Sequence, residues 1–172
     1  MDFQFTESQL KLQADVAEFA KEAALDPKRQ IEEQESIFPW DILKGLASRG
    51  WTGVIVPEKY GGMGKGAIEY SIILEETASE MIYGPQNQVQ AQQGLLAMGT
   101  EKQKQKYLPS LASGEIMGAQ AISEPEAGSS FEQLQTIAEK SGSNYIINGH
   151  KVHINLGKEA EMMIVLVKAD KG

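Results

Sequence analysis

The sequence predicts an α+β fold, with an all-helical domain over residues 1–114 followed by the first strands of an antiparallel β-barrel or sandwich over residues 115–172. Three observations point to this arrangement. Two capping boxes open runs of helical spacing in the first two thirds of the chain. Alternation of period two, typical of strands, replaces that spacing in the last third. The dipeptide Asn148-Gly149 lies between two such runs and favours a β-hairpin, because both residues accept positive φ.

The first helix is predicted to begin at the capping box Thr6-Glu7-Ser8-Gln9, where the Thr6 hydroxyl and the Gln9 side chain satisfy each other's free backbone donors. Apolar residues then recur at helical spacing: Leu12, Val16, Phe19, Ala20 and Ala23. A second helix is expected to open at Pro39, where the missing N–H costs little, and to be capped by Gly50.

Three more helices are expected in this domain. After the short buried connector Val54–Pro57, one helix is predicted over residues 67–79 and another over residues 85–98. A second capping box, Thr100-Glu101-Lys102-Gln103, then opens a short helix that is expected to stop near Pro109. We place the domain boundary just beyond this helix.

The β-domain is predicted to contain five strands: Met117–Ile122, Thr136–Glu139, Tyr145–Ile147, Lys151–Leu156 and Met162–Lys168. The fourth alternates without a break and has the pattern of a half-buried strand. Its geometry would place Lys151, His153 and Asn155 on one face and the apolar residues between them on the other.

Composition excludes several function classes. The net charge is −8 and basic residues form no cluster, so the sequence predicts no nucleic-acid binding. There are no cysteines, which excludes disulfides and thiolate chemistry. The longest apolar run, Met162–Val167, is too short to span a bilayer, so no membrane contact is expected. No signal peptide is visible beside the acidic Asp2 and Glu7, and we expect a soluble, cytoplasmic protein.

Three candidate motifs fail on inspection. The glycine-rich segment Gly61–Gly66 lacks the Lys-Ser/Thr pair of a phosphate loop, and we interpret it as a flexible turn between helices. His150 and His153 would face opposite sides of a strand, so no metal site is predicted. The paired carboxylates Glu75 and Glu76 on a helix are interpreted as solvated rather than catalytic.

Several segments together resemble the acyl-CoA dehydrogenase family, and the resemblance covers the whole chain. They are F-T-E-S-Q-L at residues 5–10, F-P-W-D-I-L-K-G-L-A-S-R-G-W-T-G-V-I-V-P-E-K-Y-G-G-M-G at 38–64, I-L-E-E at 73–76, G-T-E-K-Q-K through Y-L-P at 99–109, and S-E-P-E-A-G-S at 123–129. Any one of these segments alone would be weak support, but together they are specific.

The resemblance implies FAD as the cofactor, and it implies which residues of this chain would bind it. These residues are Gln120, Ala121, Ile122, Ser123, Gly128, Ser129, His153, Ile154 and Asn155. Ser129 would also meet the pantetheine arm of a thioester substrate. The small Ala127-Gly128-Ser129 turn suits this role, because backbone N–H groups can approach an anion closely there. In the family the catalytic base comes from C-terminal helices, so no residue here is assigned as catalytic.

Several positions depart from the family pattern. His153 stands where tryptophan usually packs on the flavin ring, and Asn155 stands where threonine usually hydrogen-bonds it. Leu156 replaces a usual asparagine, Gln120 a common aromatic residue and Ser130 a common aspartate. An aromatic stack contributes roughly 0.5–1.5 kcal/mol beyond its buried area, so FAD binding would weaken. His153 can still stack, however, and Asn155 can still donate a hydrogen bond.

The resemblance implies the N-terminal portion of an FAD-dependent enzyme that dehydrogenates acyl-CoA thioesters at the α,β position. We expect this chain to be inactive alone, because it lacks the catalytic base. The implied partners are an acyl-CoA substrate, an electron-transfer flavoprotein as acceptor, and further copies in a homo-oligomer. Two alternatives stay open: a non-catalytic binding or scaffold paralogue, and a flavin monooxygenase of the same fold.

Overall fold

The helical domain contains six α-helices in a computed structural model that describes residues 4–35 and 37–169. Residues 1–3, residue 36 and residues 170–172 lie outside the described residues, and Asp2 is one of them. The helices are α1 (Glu7–Ala24), α2 (Pro27–Glu35), α3 (Trp40–Ser48), α4 (Ala67–Ser79), α5 (Gln86–Met98) and α6 (Glu101–Ala112). Short 3-10 turns cover Trp51–Gly53, Glu58–Tyr60 and Phe131–Gln133.

Both predicted capping boxes are confirmed. At α1 the Gln9 N–H donates to Thr6 Oγ1 (3.3 Å), and the Thr6 N–H donates to Gln9 Oε1 (3.0 Å). The same pair of bonds joins Thr100 and Gln103 at α6. Each helix therefore begins where its own sequence supplies partners for the free N–H groups of the first turn.

Two helices differ from the prediction. Helix α2 was missed because its sequence is too polar to show a stripe; Asp26 starts it, since its carboxylate accepts from the Lys28 N–H (2.9 Å). Helix α6 runs past Pro109 to Ala112, so the expected stop at the proline is wrong. The fully buried Leu108 and Leu111 hold this last turn in place by packing.

The glycine-rich segment 61–66 is not a flexible loop. The N–H groups of Met63, Gly64 and Lys65 donate to the carbonyl groups of Gly53, Val56 and Val54 at 2.8–3.0 Å. A Cβ on Gly62 would lie 2.1 Å from the Val56 carbonyl oxygen, so glycine is needed for this close approach.

As far as residue 169, the β-part contains five strands: β1 (Gly118–Ala121), β2 (Ile137–Ser141), β3 (Asn144–Asn148), β4 (Met162–Val165) and β5 (Lys168–Ala169). The predicted fold class, helices followed by the start of a β-domain, is confirmed, and the sheets are open rather than closed. Antiparallel pairing holds for β2 with β3, whereas β1 pairs with β4 and β2 with β5 in parallel. The predicted strand Met162–Lys168 divides into β4 and β5.

The hairpin turn lies elsewhere than predicted. Strands β2 and β3 are joined at Gly142 (φ 62°), and Ser141 pairs with Asn144. Asn148-Gly149 does not turn into a paired strand. Gly149 instead passes against Thr136, where an added Cβ would lie 2.2 Å from Oγ1. Close approach, rather than a turn, explains this glycine.

Two apolar clusters form the core of the part of the chain that the structure describes. The first lies among helices and includes Val16, Leu46 and Ile73. The second, around Leu108 and Leu111, also receives residues of the β-part: Ile116, Met162 and Ile164. Strands β1 and β4 therefore pack directly on the helical domain. Across residues 4–35 and 37–169, no helix combines the length and the apolar character needed to cross a membrane.

Candidate functional site

A polar cleft lies where helix α5, the end of strand β1 and residues 153–155 meet. Its cavity volume is about 160 Å³. It is lined by Asn87, Gln90, Gln120, Ile122, Ser123, His153, Ile154 and Asn155. Six of these eight residues are among the nine predicted from sequence to bind a cofactor. The structure thus brings together two segments that are about thirty residues apart in the chain.

The other three predicted residues lie outside this cleft. The side chain of Ala121 is buried in the protein, with 2% of its surface exposed. Gly128 and Ser129 are exposed on the loop that follows β1, and a Cβ on Gly128 would meet nothing within 4 Å. The cleft and this loop are therefore two separate places where a ligand could be contacted.

The predicted strand Lys151–Leu156 does not exist, and this prediction is wrong. His153 and Leu156 have φ values of 56° and 53°, which place both in the left-handed region and break any pleat. His153, Ile154 and Asn155 consequently line the cleft as three consecutive residues, whereas a strand would turn Ile154 away. The expected face containing Lys151, His153 and Asn155 is replaced by a turn.

Hydrogen bonds to the end of β1 hold this turn in place. The Val152 N–H donates to the Ser123 carbonyl oxygen (2.9 Å), and Lys151 Nζ donates to the Ile122 carbonyl oxygen (2.8 Å). Within the turn itself, the Gly157 N–H donates to the carbonyl oxygen of Ile154 (3.2 Å). On this side the cleft is therefore built from two loops, which one backbone hydrogen bond and one bond from the Lys151 side chain hold together.

A buried ion pair joins the same two loops. Lys151 Nζ lies 2.8 Å from Glu124 Oε1, and the two side chains are only 10% and 2% exposed. The backbone N–H groups of Gln135 and Thr136 also donate to the Glu124 carboxylate. Burial raises the pKa of Glu124, but the hydrogen bond from Lys151 and those N–H groups outweigh it and lower the pKa to about 2. Glu124 is a positioning group and a poor base.

The loop after Glu124 leaves backbone donors free. Glu124 and Ala127 close a tight turn through two backbone hydrogen bonds of 2.8 and 3.1 Å. Beyond this turn, the N–H groups of residues 128–130 have no partner within the described parts of the chain. Consecutive unpaired N–H groups form a favourable setting for an anion.

Glutamine side chains fix the cleft wall on α5. Gln88 donates to the Ile116 carbonyl oxygen (2.7 Å) and accepts from the Gly118 N–H (2.7 Å). Gln120 donates to the Gln90 carbonyl oxygen (2.6 Å) across the end of the cleft. A Cβ on Gly118 would lie 2.5 Å from that of Ala91, so β1 and α5 are in close contact.

Sequence reasoning missed Asn87 and Gln90, the two residues that α5 contributes to the cleft. The available signal was the amide-rich run Q-N-Q-V-Q-A-Q-Q at residues 86–93. Carboxamides are unusual on a helix that is otherwise buried. Residues three or four apart share a face of a helix. Asn87 and Gln90, three apart, therefore face the cleft together. Gln88 and Gln92, four apart, face the core.

Other candidate sites receive no support. A larger groove of about 680 Å³ beside α1, Arg49 and Trp51 shares no residue with the cleft. Within the described residues, no group of three or more His, Asp or Glu side chains could hold a metal ion. Glu75 is exposed, while Glu76 accepts from Gln13 Nε2 (2.8 Å).

The fold and the cleft define a protein in which a helical domain and the start of a β-domain share a polar site at their junction. The sequence signature described as acyl-CoA dehydrogenase, N-terminal domain, matches residues 6–115. That described as acyl-CoA dehydrogenase, middle domain, matches residues 119–172. The chain belongs to the acyl-CoA dehydrogenase family, a family of oxidoreductases, and the resemblance drawn from its motifs is confirmed.

Known proteins resemble this chain over less than half of their own length. Mitochondrial isovaleryl-CoA dehydrogenase of Pongo abelii is 39% identical, covering 96% of this chain and 40% of that protein. A chain in a solved structure of the electron transferring flavoprotein of Acidaminococcus fermentans is 34% identical with a TM-score of 0.87, covering 99% of this chain and 46% of that one. The FAD complex of PigA is 27% identical with a TM-score of 0.88, covering 100% and 46%.

Proposed function

We propose that this chain binds FAD across the cleft and that its protein oxidises acyl-CoA thioesters at the α,β position. The observation that carries the proposal is the convergence of six predicted cofactor residues from two distant segments on one cleft. Membership of the acyl-CoA dehydrogenase family supports it. Isovaleryl-CoA dehydrogenase and the FAD complex of PigA, which resemble the chain, support the substrate class and the cofactor.

The chemistry of the donor set fits a flavin. The ring of FAD carries donors and acceptors along one edge and flat apolar faces. Asn155 and Ser123 supply amide and hydroxyl groups for that edge, and the exposed His153 ring supplies a surface for stacking. The free N–H groups of residues 128–130 would face the pyrophosphate, with Ser129 near the pantetheine arm of the substrate. When bound, FAD would accept a hydride from the substrate.

The residues of this chain position ligands rather than move protons. The described lining of the cleft contains no carboxylate. The nearby Glu124 is held ionised by Lys151 with a pKa of about 2, too low for an efficient general base at neutral pH. This supports the expectation that the chain alone does not dehydrogenate acyl-CoA. An electron-transfer flavoprotein as acceptor and a homo-oligomeric state stay part of the proposal, the former in line with the match to the Acidaminococcus chain.

Replacing His153 by tryptophan tests the proposal. A larger ring stacks better and buries more area, so FAD should bind about three- to tenfold more tightly. Quenching of flavin fluorescence during titration of the 172-residue chain measures this. His150→Trp is the matched control, since His150 is exposed and does not line the cleft. Equal or weaker binding by His153→Trp contradicts the placement of His153, and no quenching by either protein favours a flavin-free binding paralogue.

A further inference from the structure

Strand β3 lies at the edge of its sheet with its outer side open. The strand order is β3-β2-β5, so β3 has a single neighbour. Within residues 4–35 and 37–169, no backbone hydrogen bond reaches the outer side of β3. Its three apolar side chains, Tyr145, Ile146 and Ile147, are each more than half exposed. An open edge with apolar side chains and no charge is a place where another strand can add to a sheet.

The geometry of the hairpin decides which backbone groups of β3 face outward. Gly142-Ser143 is a two-residue loop with positive φ at the glycine, so the pair that closes it, Ser141 and Asn144, is a hydrogen-bonded pair. Bonded and non-bonded pairs then alternate along the antiparallel ladder. Every second residue of β3, counted from Asn144, therefore directs its N–H and C=O groups toward β2. The corresponding groups of Tyr145 and Ile147 point outward and are free to pair.

The sequence of β3, N-Y-I-I-N, is nearly its own reverse. Two antiparallel copies of β3 can therefore meet with Ile146 opposite its own counterpart and Tyr145 of each copy opposite Ile147 of the other. In this register the outward N–H and C=O groups of Tyr145 and Ile147 face each other as hydrogen-bonded pairs. A shift by one residue would set outward groups against inward ones, and a shift by two would set asparagine against isoleucine. Backbone direction and side-chain order thus select the same register.

Charge does not oppose a contact at this strand. The net charge of the chain is −8, so association of two copies is opposed in general by like charge. Strand β3 itself contains no charged residue. The neighbouring strand β2 carries Glu139 and Lys140, one of each sign. Two copies can therefore approach along β3 without placing like charges directly opposite each other.

We propose that two copies of this chain associate through their β3 strands, antiparallel about a two-fold axis at Ile146, so that the two hairpins form one continuous sheet. The exposed parts of the three apolar side chains amount to roughly 300 Å² on each copy, less than the ~800 Å² per partner of a standard interface. The dimer is accordingly weak, with a Kd of about 0.1 mM. At micromolar concentration the chain is largely monomeric and the hairpin lies in water.

This contact goes beyond the proposed activity. It supplies a specific surface for association of the chain with itself, and it requires neither FAD nor an acyl-CoA thioester. No residue of the β2–β3 hairpin lines the cleft. The association of two copies and the binding of FAD can therefore be tested separately.

A single cysteine at the two-fold axis tests the register. The chain contains no cysteine, so Ile146→Cys carries one thiol. In the dimer the two thiols form a directly opposed, non-hydrogen-bonded pair, which is close enough for a disulfide. Ile147→Cys is the matched control, since Ile147 is equally exposed but its two copies lie diagonally, too far apart for a disulfide. With oxidised glutathione, Ile146→Cys should form a covalent dimer at least about tenfold faster, measured by non-reducing gel electrophoresis.

A charge at the same position tests the contact itself. Analytical ultracentrifugation up to about 1 mM should show the wild type passing from monomer to dimer. Ile146→Lys should weaken dimerisation at least about tenfold, because it places like charges directly opposite each other. Ile68→Lys, at a similarly exposed apolar residue on α4, should dimerise like the wild type. Circular dichroism of each variant checks that the fold is kept.

The opposite results overturn the proposal. They are a wild type that stays monomeric at about 1 mM, a dimer that survives Ile146→Lys, and equal cross-linking of the two cysteine variants. Slow hydrogen exchange at the Tyr145 and Ile147 amides in a monomer would show that another part of the chain covers the edge, and overturns it too. Assemblies larger than a dimer would mean open-ended pairing in place of a closed two-fold contact. None of these results bears on FAD binding, which His153→Trp tests.

Discussion

The helical domain encloses a buried apolar core, although some of its large apolar side chains are exposed, whereas every apolar side chain of β3 in the β2–β3 hairpin is exposed. Leu46 and Ile73 have no exposed surface. On β3, Tyr145, Ile146 and Ile147 are 62%, 52% and 54% exposed. Neighbouring strand residues point to opposite faces, so both faces of the hairpin carry exposed apolar surface. The free energy of folding must therefore come mainly from the helices and from the strands that pack on them.

Strands β1 and β4 belong with the helical domain in this comparison, because both pack directly on it. Met162 and Ile164 pack into the helical cluster around Leu108 and Leu111. The cleft lies at this well-packed junction rather than on the hairpin. The domain boundary near Gly114 stays a prediction, and the contrast in burial falls later in the chain, between β1 and β2.

The largest effect should follow from truncating the core of the helical domain. Leu46→Ala should lower the free energy of unfolding by about 2–5 kcal/mol, because it leaves a cavity at a fully buried site. The same truncation on the hairpin, Ile147→Ala, should cost about 0.5 kcal/mol or less, since the side chain is largely in water. Urea unfolding followed by circular dichroism measures both. Similar losses for the two variants would show that something covers the hairpin in solution.

The second effect concerns the ion pair beneath the cleft. Glu124→Gln leaves Lys151 buried beside a neutral group and should clearly destabilise the protein, because a buried charge loses its partner. The pKa of Glu124 is lowered from its ordinary 4.5 to about 2, so the wild type should lose its advantage as the pH falls through that window. Above it, the carboxylate is ionised in both folded and unfolded chains and the advantage is complete.

Chemical unfolding at a series of pH values checks this dependence. The difference in stability between wild type and Glu124→Gln should be greatest near neutral pH and shrink toward pH 2. Glu126→Gln, an exposed neighbour on the same loop, is the control and should show no such trend. A difference that grows in acid would mean that the carboxylate is protonated in the folded protein.

The smallest effect should come from relieving the turn that replaces the predicted strand. Leu156 has φ 53°, a conformation that asparagine tolerates better than leucine. Leu156→Asn should stabilise the protein by about 0.5 kcal/mol, the strain relief being partly offset by lost apolar contact. Leu25→Asn, where φ is −84°, should give no gain. A destabilised Leu156→Asn variant would show that packing outweighs strain at this turn.

Most of the helical domain could be predicted from sequence because its signals are local. The bonds that start α1 and α6 join residues three apart, Thr6 with Gln9 and Thr100 with Gln103. At α6 a local signal fails: Pro109 carries a strong stop signal, and burial of its neighbours Leu108 and Leu111 overrides it.

Some of the residues that line the cleft could be predicted from the sequence, through the family resemblance rather than through strand geometry. The motifs identified His153 and Asn155 together with the end of β1, and the structure places these residues on one cleft. The amide-rich run on α5 was read only as a helix. Helical spacing says which residues share a face, but the partner of that face is set by packing.

The sequence by itself determined that a helical domain precedes a β-part, where α1 and α6 begin, and the family to which the chain belongs. The tertiary structure decided the shape of the site. Residues 151–156 alternate like a strand, yet the backbone bond from Val152 to Ser123 and the ion pair from Lys151 to Glu124, 27 residues apart, bend them into a turn. A period-two pattern records which residues alternate in polarity, but only contacts with distant residues determine whether the backbone stays extended.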